Sequence, residues 1–214
     1  MKKIKVLNLY ACLGGNRYKW ENCEVTAVEL DEDLARMYKE RFQNDTVIIA
    51  DAHQYLLDNY KKFDFIWSSP PCPSHSRARF WSSKGGTTNP IYPEMELYQE
   101  IIFLNNFFKG KFVVENVISY YEPLIKAEKR GRHLYWTNFK LPKDLKDRRI
   151  QICSGTNELQ RLSEFHEIDV SNYKGTQSKI KIARNLVDYE AGLTIYNTAF
   201  NILDKRSETQ NTLF

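Results

Sequence analysis

Cys72 is the side chain best placed to do chemistry, and its surroundings suggest work for a thiol. Residues 63–79 read FDFIWSSPPCPSHSRAR. Phe63, Phe65, Ile66 and Trp67 make an apolar, β-prone run, and Pro70-Pro71 can continue neither strand nor helix, so the chain turns just before Cys72. That puts the sulfur past the carboxyl end of a strand, where open α/β sheets place their ligands. Residues 73–93 contain no acid, whereas Arg77, Arg79 and Lys84 stand there with Phe80 and Trp81. Cations beside a thiol lower its pKa and make it a nucleophile; the plain alternative is a buried structural cysteine.

A second group of polar residues falls at other strand ends. The first strand runs into Tyr10-Ala-Cys-Leu-Gly14-Gly15, whose glycines allow a backbone to approach a ligand closely. Glu29, followed by Asp31, ends the second strand, and an acid there is the usual partner of a ribose hydroxyl pair. Asp51 follows the third. Together these point to an adenosine-containing cofactor, and the lack of G-x-G-x-x-G disfavours a dinucleotide.

The elements that must hold these residues alternate. Residues 4–10, 23–30, 46–50, 63–68 and 111–117 read as strands, 31–42 and 94–108 as helices, and 133–139 as a further strand. From the second helix, Tyr98, Ile101, Ile102, Leu104 and Phe108 are expected to face inward. Strands alternating with helices imply an α/β fold, a doubly wound and mostly parallel sheet covered on both faces.

Composition limits the rest. With 214 residues and 42% hydrophobic content, one core and one domain over residues 1–203 are expected, followed by a frayed polar tail over 204–214. No apolar run is long enough to span a bilayer, and the amino terminus leads directly into a strand pattern, so a cytoplasmic protein without a membrane partner is expected. The four cysteines and four histidines show no metal-site spacing, so no metal is expected. Residues 126–149 hold nine basic residues against three acids, while residues 1–72 are nearly balanced, and a basic middle suits a polyanion such as nucleic acid.

In this context five segments resemble the DNA cytosine-5 methyltransferase family, in the family's order. LYACLGGNR (residues 9–17) resembles its L-F-A-G-x-G-G opening and SSPPCPSHS (68–76) its G-P-P-C-Q-x-x-S loop. VENV (114–117) resembles its E-N-V strand end, KRGRHLYW (129–136) its R-x-R segment and ARNLVDYEAGL (183–193) its late R-x-L-T-x-x-E segment. The chain departs from the pattern at Pro73, where glutamine is usual, and at His75, where an aromatic residue is usual. The family's late G-N-A-V segment is not recognisable unless Asn197-Thr-Ala199 is its remnant.

The resemblance implies a small member that uses S-adenosyl-L-methionine as cofactor and DNA as partner. Cys72 becomes the nucleophile that attacks C6 of a flipped cytosine, making C5 able to take a methyl group. Glu115 then serves N3, Arg132 serves O2, and Arg130 is a supporting cation. The cofactor is expected against Tyr10, Leu13, Gly14, Gly15, Glu29, Leu30, Asp51, Ala52 and Pro70. Asn116 is expected to hold the loop. Residues 73–93 read as a mobile loop hinged at Gly85-Gly86, with Ser74, Ser76, Arg77 and Arg79 near DNA. Arg148 and Arg149 are the DNA-facing cations of a shortened target-recognition insertion over residues 141–182.

That insertion has few apolar anchors for a core of its own. The expectation is a target of about two to four base pairs, or recognition completed by a second copy or a helper subunit. Three other readings remain open: an amino-methyltransferase acting on N4 or N6, an RNA cytosine-5 methyltransferase, and an inactive nucleic-acid-binding relative. The product nucleoside separates the chemistries, and methyl transfer itself separates an enzyme from a binder.

Overall fold

A computed structural model describes residues 2–143, 145, 148 and 157–202. Arg149 and the tail over 204–214 lie outside the described residues. Seven strands form one sheet in the order β3-β2-β1-β4-β5-β7-β6: β1 Ile4–Leu9, β2 Cys23–Glu29, β3 Thr46–Ile49, β4 Phe65–Ser68, β5 Lys111–Val117, β6 Glu128–Arg130 and β7 His133–Thr137. β1 to β5 pair in parallel, while β7 runs antiparallel to β5, with Glu115 opposite Tyr135. The strand order reverses between β1 and β4. Such a switch point opens a crevice at the carboxyl ends of the strands.

Alternation along the strands decides what covers each face. Leu7, Leu9, Ile66, Phe112 and Val114 meet α2 (Ala52–Asn59) and α4 (Glu96–Phe107). Val6, Phe65, Trp67, Val113 and Tyr135 meet Trp20 and α7 (Tyr189–Phe200) on the other face, where α1 (Glu32–Arg41) also packs through Tyr38 against Ala27. Trp67 is fully buried, so truncating it to alanine would cost about 3–5 kcal/mol.

Two segments differ from the sequence reading. Residues 77–84 form α3 (Arg77–Lys84) instead of a loop, because Ser76 caps its start at Arg79 N and no glycine intervenes before Gly85 ends it. Residues 141–182 carry α5 (Glu158–His166), and α6 (Lys179–Arg184) begins within them. This stretch docks on the main domain: Val170, Tyr173 and Ile182 pack with Leu13, Leu34 and Met37, and Tyr173 Oη donates to Asp31 at 2.6 Å. On α4, Ile102 is 54% exposed, and Leu97 takes the inward place expected for it. A 12-residue helix turns 100° per residue, which puts 97, 101 and 104 on one stripe and leaves 102 outside it.

Candidate active site

The turn after β4 is sewn to the end of β5. Asn116 Nδ2 donates to Pro70 O at 3.0 Å, and Arg77 Nε to Ser119 O at 3.1 Å. His75 N and Ser76 N donate to Cys72 O, closing the turn around the cysteine. His75 fills the aromatic slot as a ring: it is buried, its Nδ1 meets Tyr121 Oη at 2.5 Å, and burial pushes its pKa down, so it stays neutral.

Glu115 is buried at the end of β5, with Oε2 accepting from Ser69 Oγ at 3.0 Å. Ser69 Oγ itself accepts from Trp67 Nε1 at 2.9 Å, so a core tryptophan orients the serine and the serine orients the acid. On the other side His133 Nε2 stands 3.5 Å from Glu115 Oε1. Only one short bond holds this carboxylate among the partners described. Its remaining lone pairs are open to a substrate.

Cys72 lines a cleft of about 560 Å³ together with Pro73, Ser76, Arg79, Lys181 and Arg184. Its thiol pKa is raised, by burial first and by nearby Glu115 second, with Lys181 pulling the other way. This corrects the expected lowering. The flanking arginines are spent on carbonyl groups: Arg77 donates to Ser119 O, and Arg79, although it lines the cleft, donates from Nη2 to Asn89 O. The cation that does act on Cys72, Lys181 of α6, comes from a segment 109 positions later that the sequence reading did not single out. The basic KIKIAR run, which overlaps the start of the ARNL segment, was its only signal.

The other expected polar contacts divide in the same way. Arg130 donates to Glu128, Lys129 O and Pro142 O, which fastens the β6–β7 hairpin instead of leaving a free cation. Arg132 is exposed on the two-residue turn of that hairpin. Ser74 Oγ accepts from Glu94 N, and Ser76 Oγ caps α3. Arg148 is occupied by Asp188, Tyr189 Oη and Phe165 O, with its guanidinium stacked 3.7 Å from the Tyr189 ring centre. These internal partners tie Arg148 to the main domain, a structural role beside the DNA contact expected of it.

On the cofactor side, Glu29 Oε2 accepts from Cys12 N at 2.8 Å and Oε1 from Asp31 N at 3.0 Å, while burial pushes its pKa up. Each oxygen is fixed by one backbone donor and keeps a lone pair free, as a bidentate acceptor requires. Leu30 is 66% exposed and Ile49 55% exposed, giving apolar surface at the adjacent ends of β2 and β3. A fixed carboxylate between exposed aliphatic groups fits a ribose carrying a flat base. Asp51 caps α2 through Gln54 N, Ala52 is buried in the core, and Pro70 is held by Asn116. The glycines have a packing reason beside the close approach expected of them. A Cβ on Gly14, at φ +68, would strike the Tyr38 and Phe42 rings, and one on Gly15 would strike Val187 O, so internal packing demands both. Leu13 is buried beside them, and burial pushes the Cys12 thiol up to about 12.

The family model for C-5 cytosine-specific DNA methylases matches residues 4–123, more than half of the chain. The chain belongs to that family. The matched part of this methylase holds Cys72, Glu115 and the expected cofactor residues, and ends before Arg130. Among solved structures, an Entamoeba histolytica methyltransferase, EhMeth, is 11% identical and covers 96% of this chain and 100% of its own, with a TM-score of 0.53. That likeness shows the fold, a Rossmann-like methyltransferase sheet. Spodoptera frugiperda DNMT2 is 23% identical over 54% of this chain and 36% of its own, with a TM-score of 0.41. A SAM-dependent methyltransferase from Agrobacterium tumefaciens is 17% identical over 56% and 40%, with a TM-score of 0.37. No curated protein matches the methylase. Among the described residues no helix is long and apolar enough to cross a membrane, and no cluster of His, Cys, Asp and Glu could hold a metal ion.

Proposed function

We propose that this methylase transfers a methyl group from S-adenosyl-L-methionine to C5 of cytosine in DNA through a covalent bond between Cys72 and C6. The observation that carries the reading is the pairing of Cys72, in a cleft edged by Arg79, Lys181 and Arg184, with a buried Glu115 whose lone pairs are not all used. A base in a stacked duplex cannot reach such a cleft, so the target nucleotide leaves the helix.

The thiol loses its proton and the sulfur adds to C6. The C5–C6 π pair shifts toward C5 and N3, and Glu115 meets the charge at N3 with a hydrogen bond. Arg132, exposed on its turn, serves O2, and His133 backs Glu115. The cofactor supplies the electrophilic methyl group. C5 takes it as the sulfonium S–C bond breaks to leave a neutral thioether; water then removes the C5 proton, and the freed electron pair re-forms the C5–C6 double bond and expels the Cys72 thiolate. The raised thiol pKa means that the free protein holds mainly the thiol form, so the sulfur that adds to C6 comes from a minor thiolate population.

Glu29 holds the cofactor's ribose, Leu30 and Ile49 border its base, and Lys181 of α6 meets a phosphate. Because the insertion over residues 141–182 is short and offers few base-reading side chains, we assign it a target of about two to four base pairs, or one completed by a second subunit.

Incubating the protein with S-adenosyl-L-methionine and either duplex DNA or RNA, then digesting to nucleosides, tests the reading. 5-Methyldeoxycytidine is expected. It should vanish in Cys72→Ala, and DNA containing 5-fluorocytosine should trap the wild type covalently. Methyl at N4 or N6, methylation of RNA alone, or a fully active alanine variant would each overturn it.

A further inference from the structure

Beneath the two halves of the site lies an acid that neither half explains. Glu100 of α4 is fully buried. Its Oε1 accepts from Tyr10 Oη at 2.6 Å and lies 3.1 Å from His53 Nδ1, and its Oε2 accepts from Ser68 Oγ at 2.5 Å. Those three partners come from three separate elements. Tyr10 follows β1, Ser68 ends β4 directly before the turn to Cys72, and His53 lies in the first turn of α2, two residues after Asp51.

A buried carboxylate without donors is costly, so an acid here has to be met by polar groups. With three donors it becomes a fixed point, and bonds to an ionised acceptor are the strong kind. Tyr10 has particular need of one. At φ +55 it sits in the left-handed region that a tyrosine avoids unless its surroundings hold it there. Burial and Glu100 both keep its hydroxyl protonated, so that it stays a donor. His53 is held toward its charged form by the bond to Glu100, with Glu96 and Asp51 adding to the same effect.

We propose that Glu100 is a positioning residue for the cofactor: by tying Tyr10, His53 and Ser68 to one carboxylate, it sets the walls of the S-adenosyl-L-methionine pocket without touching the ligand. The assignment rests on the cofactor reading given above.

Calorimetric binding of S-adenosylhomocysteine, which cannot react, provides the test. Tyr10→Phe keeps the ring and deletes one donor; Glu100→Gln keeps the shape and removes the charge. Each should weaken binding about tenfold, the worth of one bond to a charged group. The losses in the double variant should fall short of additive, because the two variants share the Tyr10–Glu100 bond while Glu100 also holds His53 and Ser68. Glu100→Gln should also bind better than Glu100→Ala. Unchanged affinity in Tyr10→Phe and Glu100→Gln, with binding by the wild type intact, overturns the proposal alone, even if both melt earlier. Additive losses in the double variant also overturn it. No binding by the wild type overturns the cofactor reading and this proposal with it. Tyr10→Phe lacks only a hydroxyl, so it decides the matter if Glu100→Gln does not fold.

Discussion

Glu100 and Glu115 are both buried acids at the carboxyl edge of the same sheet, yet they are built oppositely. Glu100 meets three close partners from three elements. Glu115 has one short bond, to Ser69, and a histidine at 3.5 Å. A carboxylate whose lone pairs are filled internally fixes geometry; one with capacity left over has desolvation still to recover from a ligand. The cations repeat the contrast. Arg148 is engaged by Asp188, Tyr189 and Phe165 O, whereas Lys181 stands exposed at the cleft that Cys72 lines.

The largest expected effect separates the two acids. Glu115→Gln should cut the methylation rate by about 10²–10⁴, the usual worth of an acid–base group, with little change in melting temperature. Glu100→Gln should show itself in stability and cofactor affinity. Equal rates for wild type and Glu115→Gln, measured in single-turnover assays, would erase the distinction.

The next effect concerns Arg148. Removing its side chain leaves the buried Asp188 carboxylate with the backbone N–H of residue 148 but without the guanidinium, at a cost of about 2–3 kcal/mol in urea unfolding. The salt dependence of DNA binding should stay as it was. A flatter salt slope in Arg148→Ala would place this residue on the DNA surface as well.

The contrast also marks what could be read from the residues alone. All five parallel strands announce themselves, because Ile4–Leu9, Phe65–Ser68 and Lys111–Val117 are apolar, β-prone runs ended by turn residues or by the E-N-V segment. The α3 helix does not, since none of its residues is buried and it stands on a serine cap instead of an apolar stripe. Cys72, Glu29 and Asn116 sit at strand ends, where position implies a role. Glu100 is hidden inside a helical pattern, and only the bonds made to it across the sheet reveal what it is for. The direction of the Cys72 shift was misread for a related reason. Nearness in sequence placed Arg77 and Arg79 beside the thiol, but their donors point to Ser119 O and Asn89 O, and Glu115 is the charge that weighs most on the sulfur.

The smallest effect tests the open cation. Lys181 is exposed, lines the cleft and pulls the Cys72 pKa down against burial and Glu115. A raised thiol pKa keeps the thiolate scarce until the pH passes it, so iodoacetamide should modify Cys72 of the free protein more slowly than an unperturbed thiol at neutral pH. Removing the lysine takes away the lowering influence. In Lys181→Ala the alkylation midpoint should therefore move further toward alkaline pH. If the same ammonium also meets a phosphate, the plot of log binding constant against log salt should flatten by about 0.9, one counterion's worth on duplex DNA. Both changes are modest, and together they are specific. A lysine that serves only to solvate α6 would leave both the alkylation profile and the salt slope where they were, and Lys181 would then join Arg148 as architecture.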